Sequence, residues 1–325
     1  MRVLVTGATG FLGGELCRVL LTKGYDVVGL GRNTAQLAAL ADMGASTLAM
    51  DLSQLHLPLP RDIGRVDAMV HCAALSSPWG AYAAFHRANV IGTESALRLA
   101  QALGVRRFVN IASPTVYFAM RDQENVAETM PLPRPINAYG ATKAIAETMV
   151  LRQPDVGPVS LRPRGIYGAG DTALLPRLLA AAKRGPLPIL RGGVAAIDLT
   201  HVSDVVRAIE AALQAGSDVQ GEVFNISGGE QLPVRDIVER AAVRAGISIR
   251  WRAVPLSPAK VAAHVLDVAS RMTPWGREPR VTPYALGLFA YRQSLNIEKA
   301  RDRLGWSPQI RFDQGLDETF AGWAT

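Results

Sequence analysis

Cysteine is nearly missing: the 325 residues include only Cys17 and Cys72. The two are far apart, share no CxxC spacing and each lie in an apolar stretch, so there is no metal or redox signature. Both are expected to be buried and reduced, in keeping with a cytoplasmic location. Lysine is scarce as well, five against thirty arginines. The net charge of +7 is therefore scattered guanidinium, without a basic run or an alternation of arginine with aromatic residues. Such a surface predicts no nucleic-acid partner and only a diffuse preference for anionic ligands. No eighteen apolar residues run together, so no membrane span is expected. Glycines break the apolar stretch of residues 1–21 and no small-residue cleavage site follows, which argues against a secretory leader. Apolar helical stretches within 256–292 leave contact with a membrane surface open. Internal repeats and low-complexity tracts are absent. His71, His86 and His201 have no neighbours at ligand spacing, so they read as packed or surface histidines and no metal site is expected.

What is present is an alternation of strand-length apolar runs with helix-period segments. "RVLVT" (2–6), "DVVGL" (26–30), "STLAM" (46–50), "DAMVHCA" (67–73) and "RRFVNIAS" (106–113) read as strands. Helices are expected after the first two, stopped by Gly24 and Gly44, and over roughly 81–103. Strands that do not alternate are buried on both faces, as in a parallel sheet. The expected fold is α/β, a doubly wound parallel (Rossmann) sheet with a smaller C-terminal α/β substrate lobe. The rhythm loosens near residue 165 and prolines cluster at 154–188. This suggests a dinucleotide-binding domain from 1–165 and 191–225, and a substrate lobe from 166–190 and 226–325.

Gly7, Gly10 and Gly13 are spaced GxxGxxG between the first strand and the first helix. There the chain must turn sharply and let a pyrophosphate approach the helix N-terminus. The plain alternative is a turn with a glycine for close helix packing. The end of the second strand should set cofactor choice, because a carboxylate there binds the ribose 2′-hydroxyl of NAD. Gly31 stands there, followed by Arg32. With no carboxylate to repel a 2′-phosphate and a guanidinium to pair with it, NADP(H) is favoured and NAD(H) remains possible. Arg32 could instead simply face solvent. Asp51 suits either the adenine edge or a helix cap.

Tyr139 and Lys143 are four residues apart in "NAYGATKAIAETM". On a helix they share a face, and an ammonium beside a phenol would lower its pKa and make it a usable acid or base. The plain reading is a surface pair. Ser113, in "NIASPTVYF", lies at the carboxyl edge of a strand, with Thr115 and Tyr117 as competitors for its role.

"TGATGFLG", "HCAA", "NVIGT", "ASPTVY", "YGATK" and "LRPRGIYG" occur in the order and spacing of the extended short-chain dehydrogenase/reductases. The chain resembles that family over residues 1–205, and within it the 3β-hydroxysteroid dehydrogenase group, which includes 2-alkyl-3-oxoalkanoate reductases. "SSPWGAYAAFHRANVIGT", "IDLTHVSDVV" and "QSLNIEKARDRLGWSP" carry the closer match. The resemblance implies a catalytic triad of Ser113, Tyr139 and Lys143, with Asn89 supporting the lysine through water. It also implies a homodimer through the helices at 81–103 and 136–153. Expected cofactor contacts are Gly7, Thr9, Gly10, Phe11, Leu12, Gly13, Arg32, Asp51, Leu52, Cys72, Ala73, Ala74, Asn89, Ala112, Tyr139, Lys143, Pro163, Gly165 and Ile166. Substrate contacts are expected at Trp79, Ser113, Thr115, Phe118, Tyr139 and Arg164. Tyr82 and Phe85 could extend an apolar wall or could be core. Phe118 stands where a glycine usually follows "VY". Ala196 and Ile197 stand where nucleotide-sugar epimerases commonly carry an arginine.

The expected activity is NADP(H)-dependent interconversion of a ketone and a secondary alcohol on an apolar substrate. The alternatives are a nucleotide-sugar epimerase or dehydratase with tightly bound NAD, and a non-catalytic nucleotide sensor. The stretch 272–291, apolar with arginines, would suit an amphiphilic ligand bearing an acid or phosphate group.

Overall fold

The computed structural model describes residues 1–54, 63–272 and 277–321. Among these, seven strands form one sheet. From edge to edge they are Glu222–Ile226, Pro158–Pro163, Arg107–Ile111, Ala68–His71, Arg2–Thr6, Asp26–Gly31 and Ser46–Ala49. Every pairing is parallel. The central strands are buried through their length, Val3, Leu4 and Val5 being fully enclosed, because helices cover both faces. The strand order reverses where Arg2–Thr6 lies between Asp26–Gly31 and Ala68–His71. This is the switch point at which doubly wound sheets bind ligands.

Pro158–Pro163 was hidden by the proline-rich composition of its region. Its prolines sit at the strand's two ends, where the missing N–H costs the ladder least. The expected single helix over 81–103 is interrupted: α-helical turns at Tyr82–Phe85 and Gly92–Ala102 flank a π-helical segment, His86–Ile91. From the next turn the Thr93 hydroxyl donates back to the carbonyl of Asn89, inside the π segment, at 2.6 Å, a side-chain bond to a carbonyl of the backbone ladder. The π turn leaves Asn89 and Val90 facing inward, and such turns recur at functional sites.

A second, four-stranded sheet joins Gln231–Pro233, Ala196–Asp198, Gln293–Leu295 and Gln123–Val126. It thus draws one strand from early in the chain. Helices Leu175–Arg184, Val234–Arg244 and Phe312–Phe320 pack into a separate apolar cluster around Leu179, Val238 and Leu316. Helices Leu256–Met272 and Pro283–Ala290 share a smaller one. Residues 273–276 of the arginine-bearing apolar stretch lie outside the described residues. No described helix is long and apolar enough to cross a membrane.

Candidate active site

The glycine loop occupies the switch point, and three close approaches account for its composition. Gly7 has φ +68°, and a Cβ there would meet the Ala73 nitrogen at 2.8 Å. A Cβ on Gly13 would meet the Gly7 carbonyl oxygen at 2.2 Å. Gly10 donates its N–H to the same oxygen at 2.9 Å and precedes helix Phe11–Thr22 without a side-chain cap. A groove walled by backbone, ending at uncapped helical N–H groups, fits a pyrophosphate. Ala73 and Cys72 form the opposite wall. Of the other expected cofactor contacts, Leu12, Leu52, Ala112 and Pro163 are buried, Thr9, Phe11, Gly165 and Ile166 half-buried, and Ala74 exposed.

At the end of the second strand, a Cβ on Gly31 would stand 2.5 Å from Thr9 Cγ2. Arg32 is mostly exposed, 3.9 Å from Asp51. Asp51 accepts from the Ser53 backbone N–H at 2.9 Å and from its hydroxyl at 2.8 Å, so the capping reading of Asp51 is realised. Arg87, overlooked in the sequence, donates to the Ser53 hydroxyl at 3.1 Å and adds a second guanidinium near Asp51.

Tyr139 and Lys143 lie on helix Ala138–Leu151, capped by the Asn137 side chain. The half-buried Tyr139 meets the hydroxyls of Ser113 and Ser76. Burial of the phenol raises its pKa, and hydrogen bonds from the two serines pull it down in part. The expected lowering by lysine is not found: the groups that pull the phenol down are Ser113 and Ser76, and desolvation raises it. Lys143 is buried and donates to the Ile111 carbonyl at 2.6 Å. Burial lowers its pKa to about 8, against the Glu147 charge, which raises it, so it remains mostly protonated at neutral pH. Asn89 accepts from the Leu75 N–H at 2.7 Å and donates to the Thr142 hydroxyl at 3.1 Å. It thereby ties the loop carrying Ser76 to the residue before Lys143.

Ser113 caps the short 3₁₀ turn Pro114–Tyr117, accepting from the Thr115 N–H at 3.2 Å and donating to the Thr115 hydroxyl at 3.0 Å. Tyr117 is not a rival: its phenol donates to Asn225 in the interior and also receives Arg162. Beneath the lysine, Glu147 binds Arg162 in a buried ion pair and accepts from Ser160 at 3.2 Å. Nothing in the sequence singled out Glu147, Arg162 or Ser76, because their roles depend on pairings across the fold. His71 bridges Thr6 at 2.8 Å and Thr93 at 3.0 Å, and burial lowers its pKa to about 3. His201 is buried against Tyr167, while His86 packs near Tyr82.

Of the residues expected to meet substrate, Trp79 is half-buried and donates from Nε1 to Asp267 at 2.6 Å. Phe118 is buried, edge-on to Tyr284, and a Cβ on Gly287 would meet its ring at 2.4 Å. Its ring is taken up by packing on Tyr284, whose hydroxyl lies 3.5 Å from that of Thr115. Arg164 pairs with buried Asp198 at 3.1 Å and donates to Gln293 at 2.8 Å, which holds the two sheets together. Phe85 is core against Tyr139, and Tyr82 is exposed.

Residues 3–227 match the family described as NAD dependent epimerase/dehydratase. A 2-alkyl-3-oxoalkanoate reductase from Stenotrophomonas maltophilia is 34% identical, covering 97% of both chains. A 4-hydroxy-2-methyl-3-oxo-4-farnesyl-3,4-dihydroquinoline-1-oxide ketoreductase from Stigmatella aurantiaca is 34% identical over 98% of this chain and 95% of its own. Among solved structures, a UDP-glucuronic acid 4-epimerase from Bacillus cereus in complex with NAD superposes with a TM-score of 0.76 at 25% identity, covering 99% of this chain and 96% of that one. The backbone groove at the switch point and these likenesses agree: the chain belongs to the NAD dependent epimerase/dehydratase family and is an oxidoreductase that works with a nicotinamide dinucleotide.

Proposed function

We propose that the protein is an NADP(H)-dependent reductase that interconverts a ketone and a secondary alcohol on an apolar or amphiphilic substrate. The observation that carries this reading is the placement of Tyr139 one helical turn before buried Lys143, whose ammonium is held at the carboxyl end of the central strand Arg107–Ile111, with the Ser113 hydroxyl acting on the phenol. When bound, the nicotinamide supplies the hydride. Tyr139 gives its proton to the developing alkoxide and takes it back in the reverse direction. Ser113 turns its hydroxyl from Thr115 to the same oxygen. Lys143 holds the ribose, and Asn89 keeps its helix in place. The raised phenol pKa suits a proton donor in the reducing direction.

Gly31 and Arg32 support NADP(H) over NAD(H). The names of the two bacterial relatives support an acyl-chain or farnesylated ketone as the substrate class. Exposed Ile91 and Ile145, on the helices at 81–103 and 136–153, support a homodimer, and the two reduced cysteines a cytoplasmic location. The second reading, a nucleotide-sugar epimerase retaining NAD, draws on the likeness to the Bacillus cereus enzyme. Against it, Ala196 and Ile197 bring no arginine to the substrate side, and Arg164 is engaged by Asp198.

The test is oxidation of added NADPH and NADH against a panel of 2-alkyl-3-oxo acids, steroid ketones and simple aldehydes. NADPH oxidation by one class, lost in Tyr139→Phe while NADPH binding persists, is the expected result. Full turnover in Tyr139→Phe, or copurified NAD with no use of added cofactor, overturns the reading.

A further inference from the structure

Helix Leu256–Met272 inverts the usual arrangement. Of its seventeen residues only Ala263 is buried, whereas Val261, Val265, Val268 and Met272 are 65, 57, 42 and 80% exposed. These four recur at spacings of four, three and four residues and so form one stripe. Leu266, Ala262 and Ala269 extend it to one side, also exposed. Lys260, His264 and Arg271 run along its other side at the same periodicity. The acid of the helix is turned inward: Asp267 accepts from Trp79 Nε1 at 2.6 Å and from Arg271 Nε at 3.0 Å. Described residues 256–290 carry Lys260, Arg271, Arg277 and Arg280 against Asp267 and Glu278, and Glu278 is paired with Arg177 at 2.5 Å.

From this arrangement we infer that the helix docks on an anionic lipid surface. A wide apolar arc with a cationic rim on an otherwise folded domain matches an interfacial helix lying in the headgroup plane, and none of the described helices is fit to span. The rim disfavours a second copy of the chain as occupant. Antiparallel pairing of two such helices would set Lys260 of each copy beside Arg271 of the other, whose one acidic neighbour on the helix, Asp267, is already shared with Trp79. The inner side of the helix reaches the candidate site through Trp79, three residues after Ser76. Docking therefore brings the lipid surface to the mouth of the cleft. The docking itself does not rest on the reductase reading, because its test reads neither cofactor nor turnover.

The experiment is flotation of the full chain with vesicles of phosphatidylcholine alone and of phosphatidylcholine mixed with phosphatidylglycerol. The protein should float with the anionic vesicles, much less with the neutral ones, and less as salt rises. Val265→Glu with Val268→Glu should lower the partition coefficient at least about tenfold without moving the thermal midpoint. Lys260→Glu should weaken binding to the anionic vesicles alone. Failure of the wild type to float, or equal flotation of the double variant, overturns the inference. So does a wild-type dimer that the double variant dissociates while neither protein floats.

Discussion

Thr9 fills the space into which any side chain at position 31 would grow: its Cγ2 and Oγ1 lie 2.5 and 2.7 Å from the place of a Cβ on Gly31. The missing carboxylate after the second strand is therefore a packing requirement of the glycine loop as well as a matter of charge. The single change Gly31→Asp should disrupt the loop and weaken both nicotinamide cofactors. With Thr9→Gly added, the carboxylate has room, and preference should move toward NADH. Arg32→Ala alone should weaken NADPH by about tenfold, the low end for a charge-assisted contact at an exposed site, and leave NADH unchanged. Dissociation constants from cofactor fluorescence check each step.

Lys143 should leave a pH signature on stability. Its pKa in the folded protein is lowered to about 8 by burial, from 10.5. Below pH 8 both states hold the proton, and the native state bears the cost of a buried ammonium. Between 8 and 10.5 the native lysine has lost its proton while the unfolded one keeps it, so stability rises with pH. Above 10.5 both are neutral and the cost is gone. Lys143→Met should thus raise the thermal midpoint most near pH 7, with the gain shrinking toward pH 10.5, while turnover is lost. A difference between variant and wild type that does not vary across this range would refute the assigned cause.

Glu147 and Arg162 are each almost fully enclosed. Removing one partner leaves the other's charge buried and unpaired, which costs about 3–5 kcal/mol. Glu147→Gln should destabilise by about that much in urea unfolding, and it should also lower the Lys143 pKa further, because the Glu147 charge raises it. A Glu147→Gln variant as stable as wild type would mean that the pair is not the tie it resembles.

His71 predicts the acid limb. Burial lowers its folded pKa to about 3, from the ordinary 6.5. Its contribution is complete above pH 6.5 and is lost as the unfolded state takes up a proton on the way down to pH 3. His71→Asn should flatten that part of the stability profile, as followed by circular dichroism.

Much of the site was legible in the chain because local rules suffice for it. A strand, a glycine-rich turn and a helix in direct succession define a phosphate groove wherever they fold. Tyr139 and Lys143 are four apart on one helix, so their common face needs no tertiary information. The strand Pro158–Pro163 and the π turn at His86–Ile91 escaped notice for opposite reasons. The first is masked by prolines that its ends tolerate. The second is an irregularity of a single turn, which leaves no periodic signal in the sequence.

By itself, then, the order of residues determined the strand–helix alternation that calls for a doubly wound sheet, the glycine turn and the tyrosine–lysine spacing, because each is written in neighbours within a few turns. Tertiary structure alone decided which phenol is available and which is enclosed, setting Tyr139 beside Ser113 and Tyr117 against Asn225. It also decided that desolvation, not the neighbouring ammonium, governs the Tyr139 proton. The physical reason is that burial and long-range hydrogen bonds are properties of surfaces brought together from distant parts of the chain, and desolvation acts on whatever the packing encloses.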